Sequence, residues 1–449
     1  MDERRAYKII VTVLLSLAAF VPLAATAQVT APVLAVAAVP AAKIDAGDTA
    51  WILISAALVM LMTPGLAMFY GGMVRRKNVL GTIMHSFIAI ALVSLQWILI
   101  GYSLSFGPDI KGLIGNFNWA GLNGVGLTPN ADYAPTIPHL LFMVYQMMFA
   151  VITPALISGA FAERMKFSAF LIFTVVWTTI VYDPVAHWVW GAGGWMKNLG
   201  VLDFAGGIVV HATSGFSALA AAFYIGKRKG FMHEHMPPHN LPMTVLGAGI
   251  LWFGWFGFNA GSALASGTLA TMAFLTTHTA AASATVTWVI VEWLHRGKPT
   301  MFGAATGSIA GLATITPAAG FVGPLPALLI GIAAGILCYI ALNAKARFGY
   351  DDSLDAFGVH GVGGTLGTLM AGLFASVAIN AAGANGAFFG NPKQFVVQAE
   401  AVALVALYSF VVSFVILKVL DATIGLRVHT DHETEGLDIS QHGEAGYAL

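Results

Sequence analysis

The sequence predicts an all-α integral membrane protein of eleven transmembrane helices. Three observations carry that prediction. Over 449 residues the chain is 58% hydrophobic and only 9% charged, against roughly 25% charged in a soluble globular protein. Its mean hydropathy is +0.79. Apolar runs of about 20 residues, the length that crosses the hydrocarbon of a bilayer, recur from Thr49 onward. A formal net charge of zero removes the electrostatic footprint of a nucleic-acid binder. The 50 glycines suit helices that must approach closely where lipid supplies no hydrophobic push between them. Cys338 is the single cysteine and allows no intrachain disulfide.

The first element is a leader. Arg4, Arg5 and Lys8 precede the apolar stretch Ile9 to Ala25, and Ala25-Thr26-Ala27 stands before Gln28. That pattern describes a signal peptide over 1–27, cleaved after Ala27. The competing reading, an uncleaved first helix, has against it the short apolar stretch and Pro22. Residues 28–48, rich in Ala, Pro and Val, read as an exported N-terminal segment. A transmembrane domain follows over 49–426. Its expected spans are 49–73, 79–106, 138–162, 167–190, 204–226, 241–263, 270–295, 300–318, 324–344, 356–379 and 396–424. Interruptions such as Pro64-Gly65 and Pro154 should face protein or a cavity, because lipid leaves no backbone group unsatisfied. A polar tail over 427–449, with His429, Asp431, His432, Glu433 and Glu435, reads as cytoplasmic, either mobile or docked on the helix ends.

Eleven spans put the two ends of the mature chain on opposite sides, and the basic residues choose which. Arg75, Arg76, Lys77, Arg164, Lys166, Lys227, Arg228, Lys229, Arg296, Lys298, Lys345, Arg347, Lys418 and Arg427 fall on one side. Only Lys43, Lys111, Lys197 and Lys393 fall on the other, fourteen against four. The N-terminus is therefore expected outside and the C-terminus inside, in agreement with the leader.

Two segments share a pattern. Asp203-Phe-Ala-Gly-Gly-Ile-Val-Val-His211 opens the fifth span and Asp352-Ser-Leu-Asp-Ala-Phe-Gly-Val-His360 opens the tenth. In each, an Asp precedes a His by eight residues, which places each imidazole about 12 Å into the membrane if the helix starts at the Asp. The two spans enter from opposite sides, so both histidines are expected near the midplane. Five helices plus five in opposite orientation describe an inverted repeat with its site at the repeat interface, the eleventh helix being an addition. A histidine inside a membrane is a functional candidate, because an unpaired ionisable group is costly there. Singly, each could equally bond a carbonyl and pack helices; the symmetry favours function. His85 has no symmetric counterpart and is expected to pack. Asp203 is first an N-cap for backbone amides and also suits an arriving cation; Asp352 and Asp355 look like its inner counterparts.

Trp188, Trp190, Trp195, Trp252, Trp255, Phe256 and Phe258 are dense on the outer ends. Most such residues anchor helices at the interface, but aromatic faces also hold small cations. Rings beside a hydroxyl would favour a weakly hydrated monovalent cation. His233-Glu-His235 with His239 has the composition of a metal site, yet His-x-His on a polar loop is usually solvated; no metal and no cofactor are expected.

At these residues the chain resembles the Amt/Mep/Rh family of ammonium transporters. Asp203 to His211 looks like the Amt signature, and Leu251-Trp-Phe-Gly-Trp-Phe-Gly-Phe-Asn-Ala-Gly-Ser262 resembles the family's sixth-helix motif. Ala186-His-Trp-Val-Trp-Gly191, Pro238-His-Asn-Leu-Pro242 and Phe357-Gly-Val-His-Gly361 also fit, and the match runs from about residue 45 to the C-terminus. The resemblance implies a homotrimer in the plasma (inner) membrane, one pore per subunit, and transport without ATP hydrolysis or enzyme chemistry. It implies that Phe149, Trp190 and Ser262 form an external ammonium site with Asp203 behind it. Phe149 and Phe258 would be its gate, and His211 and His360 the twin histidines of the pore. Tyr145 stands where some relatives carry Phe. Trp190 and Ser262 favour the bacterial and plant Amt branch. A PII-type signalling protein is the partner implied on the inner face.

The chemistry follows from that expectation. Potassium and ammonium are close in size, but only ammonium can leave a proton behind, and burial disfavours the charged form. Two rivals remain in view. A membrane metalloenzyme would need a third ligand near the midplane, where no acid or cysteine is evident. A membrane ammonium sensor would be expected to carry a signalling domain, and the tail of about 23 residues leaves no room for one.

Overall fold

The computed structural model describes residues 43–447 of the chain. The expected leader and most of the 28–48 segment lie outside the described residues. In chain order the apolar helices are α1 Ala46–Met73, α2 Arg76–Phe106, α3 His139–Phe161, α4 Phe167–Leu199, α5 Gly207–Ile225, α6 Leu241–Ala260, α7 Thr268–Arg296, α8 Met301–Ile315, α9 Pro324–Phe348, α10 Phe357–Phe374 and α11 Pro392–Thr423. Ten of these are long and apolar enough to cross a membrane; α8 is shorter. The sequence led to a longer element over 300–318, but the chain leaves the helix for a turn after Ile315. Pro317 explains this, since it has no N–H for an intrahelical bond and disfavours helical geometry in the residue before it. Two short helices follow, α12 Thr430–Glu435 and α13 Leu437–His442.

Polar caps start several of these helices. Asp45 accepts the Asp48 amide at 2.9 Å ahead of α1, Asn240 accepts Met243 at 2.9 Å ahead of α6, and Thr300 accepts Gly303 at 2.8 Å ahead of α8. Each satisfies an amide that the helix itself cannot. α1 packs along α6, α7 against both α8 and α9, and α5 against α3 and α11. Five helices contain a π-helical turn: Trp97–Gly101, Thr178–Tyr182, Gly207–Ala212, Phe256–Ala260 and Phe357–Gly361. Such turns concentrate at functional positions, and three of these carry His211, Phe258 and His360.

α5 and α10 cross at the centre through two glycine contacts. A Cβ on Gly215 would lie 2.1 Å from the Gly361 amide nitrogen, and one on Gly364 would lie 2.6 Å from the Gly207 carbonyl oxygen. Each glycine stands four residues after its histidine, so the same offset serves both helices. The helices start later than a count from the aspartates supposes, at Gly207 and Phe357. Gly206 at φ 114° and Asp355 at φ 63° turn the chain before helical geometry begins. From Gly207 to His211 the rise is about 6 Å, so the histidine lies one turn into its helix rather than two.

One end of the bundle gathers buried ions. Glu163 pairs with Arg75 at 2.8 Å and Arg228 at 3.4 Å, and Arg228 pairs with Asp351 at 2.8 Å. Arg164, fully buried, donates to the Asp351 carbonyl and to Ser353 Oγ, both at 2.6 Å. Burial raises the Glu163 and Asp351 carboxyls, but the neighbouring guanidiniums outweigh it and hold both below the usual carboxylate range. The tail lies on this basic end. Arg427 pairs with Glu433 at 2.8 Å, Glu433 accepts the Lys229 amide at 2.6 Å, and Asp438 accepts the Gly81 amide at 2.8 Å. Of the two states expected for the tail, the described part is docked.

Candidate functional site

At the end opposite the buried ions, a cavity of about 350 Å³ is lined by Phe149, Trp190, Asp203 and Ser262, among others. α3 supplies Phe149, the stretch Asp183–Trp190 within α4 supplies Trp190 at its end, and the turn after α6 supplies Ser262. Trp190 Nε1 donates to the Asp203 carbonyl oxygen at 2.9 Å, and its ring meets Phe149 edge-on at 6.0 Å and 85°. Tyr145 OH lies 2.9 Å from the carbonyl oxygens of both Gly257 and Phe258 and 3.2 Å from Ser262 Oγ. This hydroxyl ties the start of the π turn in α6 to Ser262, a function that Phe at position 145 lacks.

The Asp203 carboxylate accepts the amides of Gly206, Gly207, Ile208 and Val209 at 2.6–3.1 Å. It caps α5 with every orphan amide in reach, so its direct contacts are backbone donors. Burial pushes this carboxyl up to about 6 against the pull of those four bonds. Asp352 does the same for α10 through Ala356 and Phe357, at 3.1 and 2.8 Å. Asp355 pairs with Lys345 instead.

Below the cavity, Phe149 and Phe258 lie 4.3 Å apart between ring centroids, tilted by 37°. Beyond them a second cavity of about 10 Å³ is lined by Phe258, Trp255, His211 and His360. That is the threshold volume for one water. His211 stacks within 6.0 Å of Phe258 and 5.5 Å of Trp255. Trp255 therefore lies beside the histidine and donates to Thr316 at 3.0 Å; its place in the sequence had suggested the outer ends.

His211 Nδ1 and His360 Nδ1 are 3.2 Å apart, with both residues buried. Two ring nitrogens bond only if one carries hydrogen and the other does not. The pair so joined turns one Nε2 donor and one Nε2 acceptor away from the shared proton. His211 Nε2 has no other protein partner. His85 stands elsewhere, buried against Phe161, Phe167 and Phe170, the last at 4.3 Å. Among the described residues no group of three His, Cys, Asp or Glu is placed to hold a metal ion. His239 faces the Val74 carbonyl oxygen and Tyr447 OH.

Sequence reasoning passed over Asp183. It is fully buried in α4 and accepts from Gln96 Nε2 at 2.7 Å. A lone acid inside the apolar run of α4 was the available signal.

A multi-pass helical membrane protein, with rings above a buried histidine pair, is the class that this fold and site define. The chain matches the model of the Ammonium Transporter Family over residues 50–447 and belongs to that family. It is 54% identical over 402 residues to an ammonium transporter of Bacillus subtilis, covering 89% of this chain and 98% of the relative. The crystal structure of Candida albicans Mep2 superposes with a TM-score of 0.83 at 37% identity, covering 90% of this chain and 91% of that one. A structure titled Sensor Amt Protein aligns with a TM-score of 0.81 at 31% identity, covering 88% and 98%.

Proposed function

We propose that this protein takes up ammonium by recruiting the cation at Phe149, Trp190 and Ser262, deprotonating it, and conducting ammonia past His211 and His360. The observation that carries the reading is the order of parts along one line. A cavity of about 350 Å³ leads to rings 4.3 Å apart and then to about 10 Å³ beside the paired histidines.

The cation meets the Trp190 and Phe149 rings, whose faces attract it, and the Ser262 hydroxyl. Asp203 keeps the site electronegative from behind while capping α5. Passing Phe149 and Phe258 strips water, and the apolar constriction disfavours charge, so the proton leaves and neutral ammonia advances. The histidine pair then offers ammonia a donor and an acceptor. Potassium has no proton to leave and stays outside.

Eleven crossings, arranged as an inverted repeat of five plus five and a final helix, fit the matched glycine contacts of α5 and α10. The basic end faces the cytoplasm, so the mature N-terminus is outside and the tail inside. The functional unit is a homotrimer in the plasma membrane with one pore per subunit. Residues 1–27 are a signal peptide cleaved after Ala27; an intact mass that includes Met1 would refute this.

Methylammonium uptake into proteoliposomes, measured beside potassium flux, tests the central reading, which predicts saturable uptake with potassium excluded. The likeness to the structure titled Sensor Amt Protein favours one alternative, a sensor that binds and signals. Methylammonium binding without uptake would establish that alternative.

A further inference from the structure

We infer that His187 and Asp109 are a positioning pair for Trp190, fixing the stretch Asp183–Trp190 of α4 that presents this ring to the cation. The inference rests on the reading of Trp190 as part of the external site. His187 lies three residues before Trp190 and is fully buried. Its Nδ1 faces the Ser105 carbonyl oxygen at 3.0 Å and its Nε2 faces Asp109 Oδ1 at 2.8 Å. A carbonyl oxygen only accepts, so Nδ1 carries a hydrogen. Nε2 is then the atom that meets the Asp109 carboxyl, with one hydrogen in the 2.8 Å gap.

Asp109 also accepts the Gly112 amide, at 2.8 and 3.0 Å to its two oxygens. It opens the hairpin of β1 Asp109–Ile110 and β2 Ile114–Gly115. One imidazole thus joins the end of α2, this hairpin and the last turn of the stretch Asp183–Trp190 in α4. The chain after Trp190 closes over the pair without room for a side chain at Gly191 or Gly193. A Cβ on Gly191 would stand 2.6 Å from His187 Nδ1, and one on Gly193 would stand 2.6 Å from Asp109 Cβ. Trp190 sits between His187 and this turn. Lys197 Nζ donates to its carbonyl oxygen at 3.1 Å, and the bond to Asp203 holds the indole edge. Neither fixes the backbone before Trp190; His187 does. His187 and Asp109 are absent from the cavity wall that Val189 and Trp190 help to form, so the pair acts through the tryptophan.

The test is the concentration dependence of methylammonium uptake by the full chain in proteoliposomes. Asp109→Ala removes the acceptor and should raise KM about tenfold, equivalent to ~1.4 kcal/mol of lost cation binding, with the maximal rate near the parent's. Asp109→Asn should restore KM, since its amide N–H can donate to Nε2 of a neutral His187. Lys111→Ala, on the same hairpin, should match the parent. If Asp109→Ala does not fold, Asp109→Ser, whose hydroxyl is too short to reach the ring, replaces it. A parental KM in Asp109→Ala or Asp109→Ser overturns the inference. So does an Asp109→Asn as weak as Asp109→Ala, because charge rather than the bond would then be acting. Trp190→Leu in the same assay separates the two readings. An unchanged KM there refutes the external site itself, whatever Asp109 does.

Discussion

His211 Nδ1 faces His360 Nδ1 at 3.2 Å, with the two rings 19° from parallel. A single proton therefore serves both residues, and neither can be removed without leaving the other unpaired. In a buried site an unpaired polar group costs about 1–3 kcal/mol. His211→Ala and His360→Ala should each fold and assemble, because the space opened lies on the path, but methylammonium uptake should fall strongly. An Asp at either position supplies an anion that stabilises a desolvated cation, so those variants should pass potassium. Alanine variants that transport at the parent's rate and still exclude potassium would reduce the pair to a packing role.

Asp203 adds a dependence on external pH. Burial pushes its carboxyl up to about 6, so acidifying the outside from pH 7.5 to 5 places a proton on it. The protonated acid is neutral, and one of its oxygens becomes a donor facing amide donors. Uptake at saturating external methylammonium should decline with a midpoint near pH 6. Asp203→Asn should be weak at pH 7.5 and lose that midpoint. A parent profile flat from pH 7.5 to 5 would count against the carboxylate's electrostatic role.

The sequence made the apolar spans, the polar tail and the symmetric Asp–His pattern visible, because each is a local signal of composition or spacing. The start of α5 falls later than the aspartate suggests for a physical reason. An Asp can cap a helix from a turn several residues upstream, and Gly206 at φ 114° delays the start of α5. The length of α8 was misjudged because hydropathy ignores the break that Pro317 imposes. Long-range pairs left no trace in spacing: Tyr145 with Ser262, 117 residues apart, and His187 with Asp109, 78 apart. Asp183 was the legible exception, an acid inside an apolar run.

The buried ions at the basic end should matter to stability. Arg228 is the ion-pair partner of Asp351 and shares Glu163 with Arg75, so its loss strands Asp351 above all. Removing one partner of a buried pair costs about 3–5 kcal/mol, because the other charge is left uncompensated. Arg228→Met should therefore lower the thermal midpoint in detergent clearly, while Arg296→Met, at a largely exposed side chain, should barely move it. The sign with pH follows from the depressed carboxyls. Their contribution is present above the ordinary carboxylate range and lost as pH falls through their lowered values, so the parent should weaken in acid. Equal midpoints for Arg228→Met and the parent at pH 7 would show that the cluster contributes nothing net.

The tail is held by bonds to several loops of the basic end, among them the one before α4, where Val428 N donates to the Arg164 carbonyl oxygen at 3.0 Å. Glu433 accepts from Lys229 after α5 and pairs with Arg427, while Leu437 N donates to Asn78 Oδ1 at 2.8 Å beside the start of α2. A protein arriving at this face meets the tail and those loops as one surface. If that partner is a PII-type signalling protein, removing the chain from Arg427 onward takes away part of its footprint and frees Lys229 and Asn78 from their present partners. A pull-down with the cognate PII protein should succeed for the full chain and weaken by about tenfold, ~1.4 kcal/mol, after that truncation. Glu433→Ala releases the Lys229 anchor while leaving the rest of the tail in place, and should weaken binding by less. Uptake assayed in the same vesicles shows whether the truncated protein is still folded. Binding unchanged by truncation, in a protein that still transports, would exclude the tail from the docking surface.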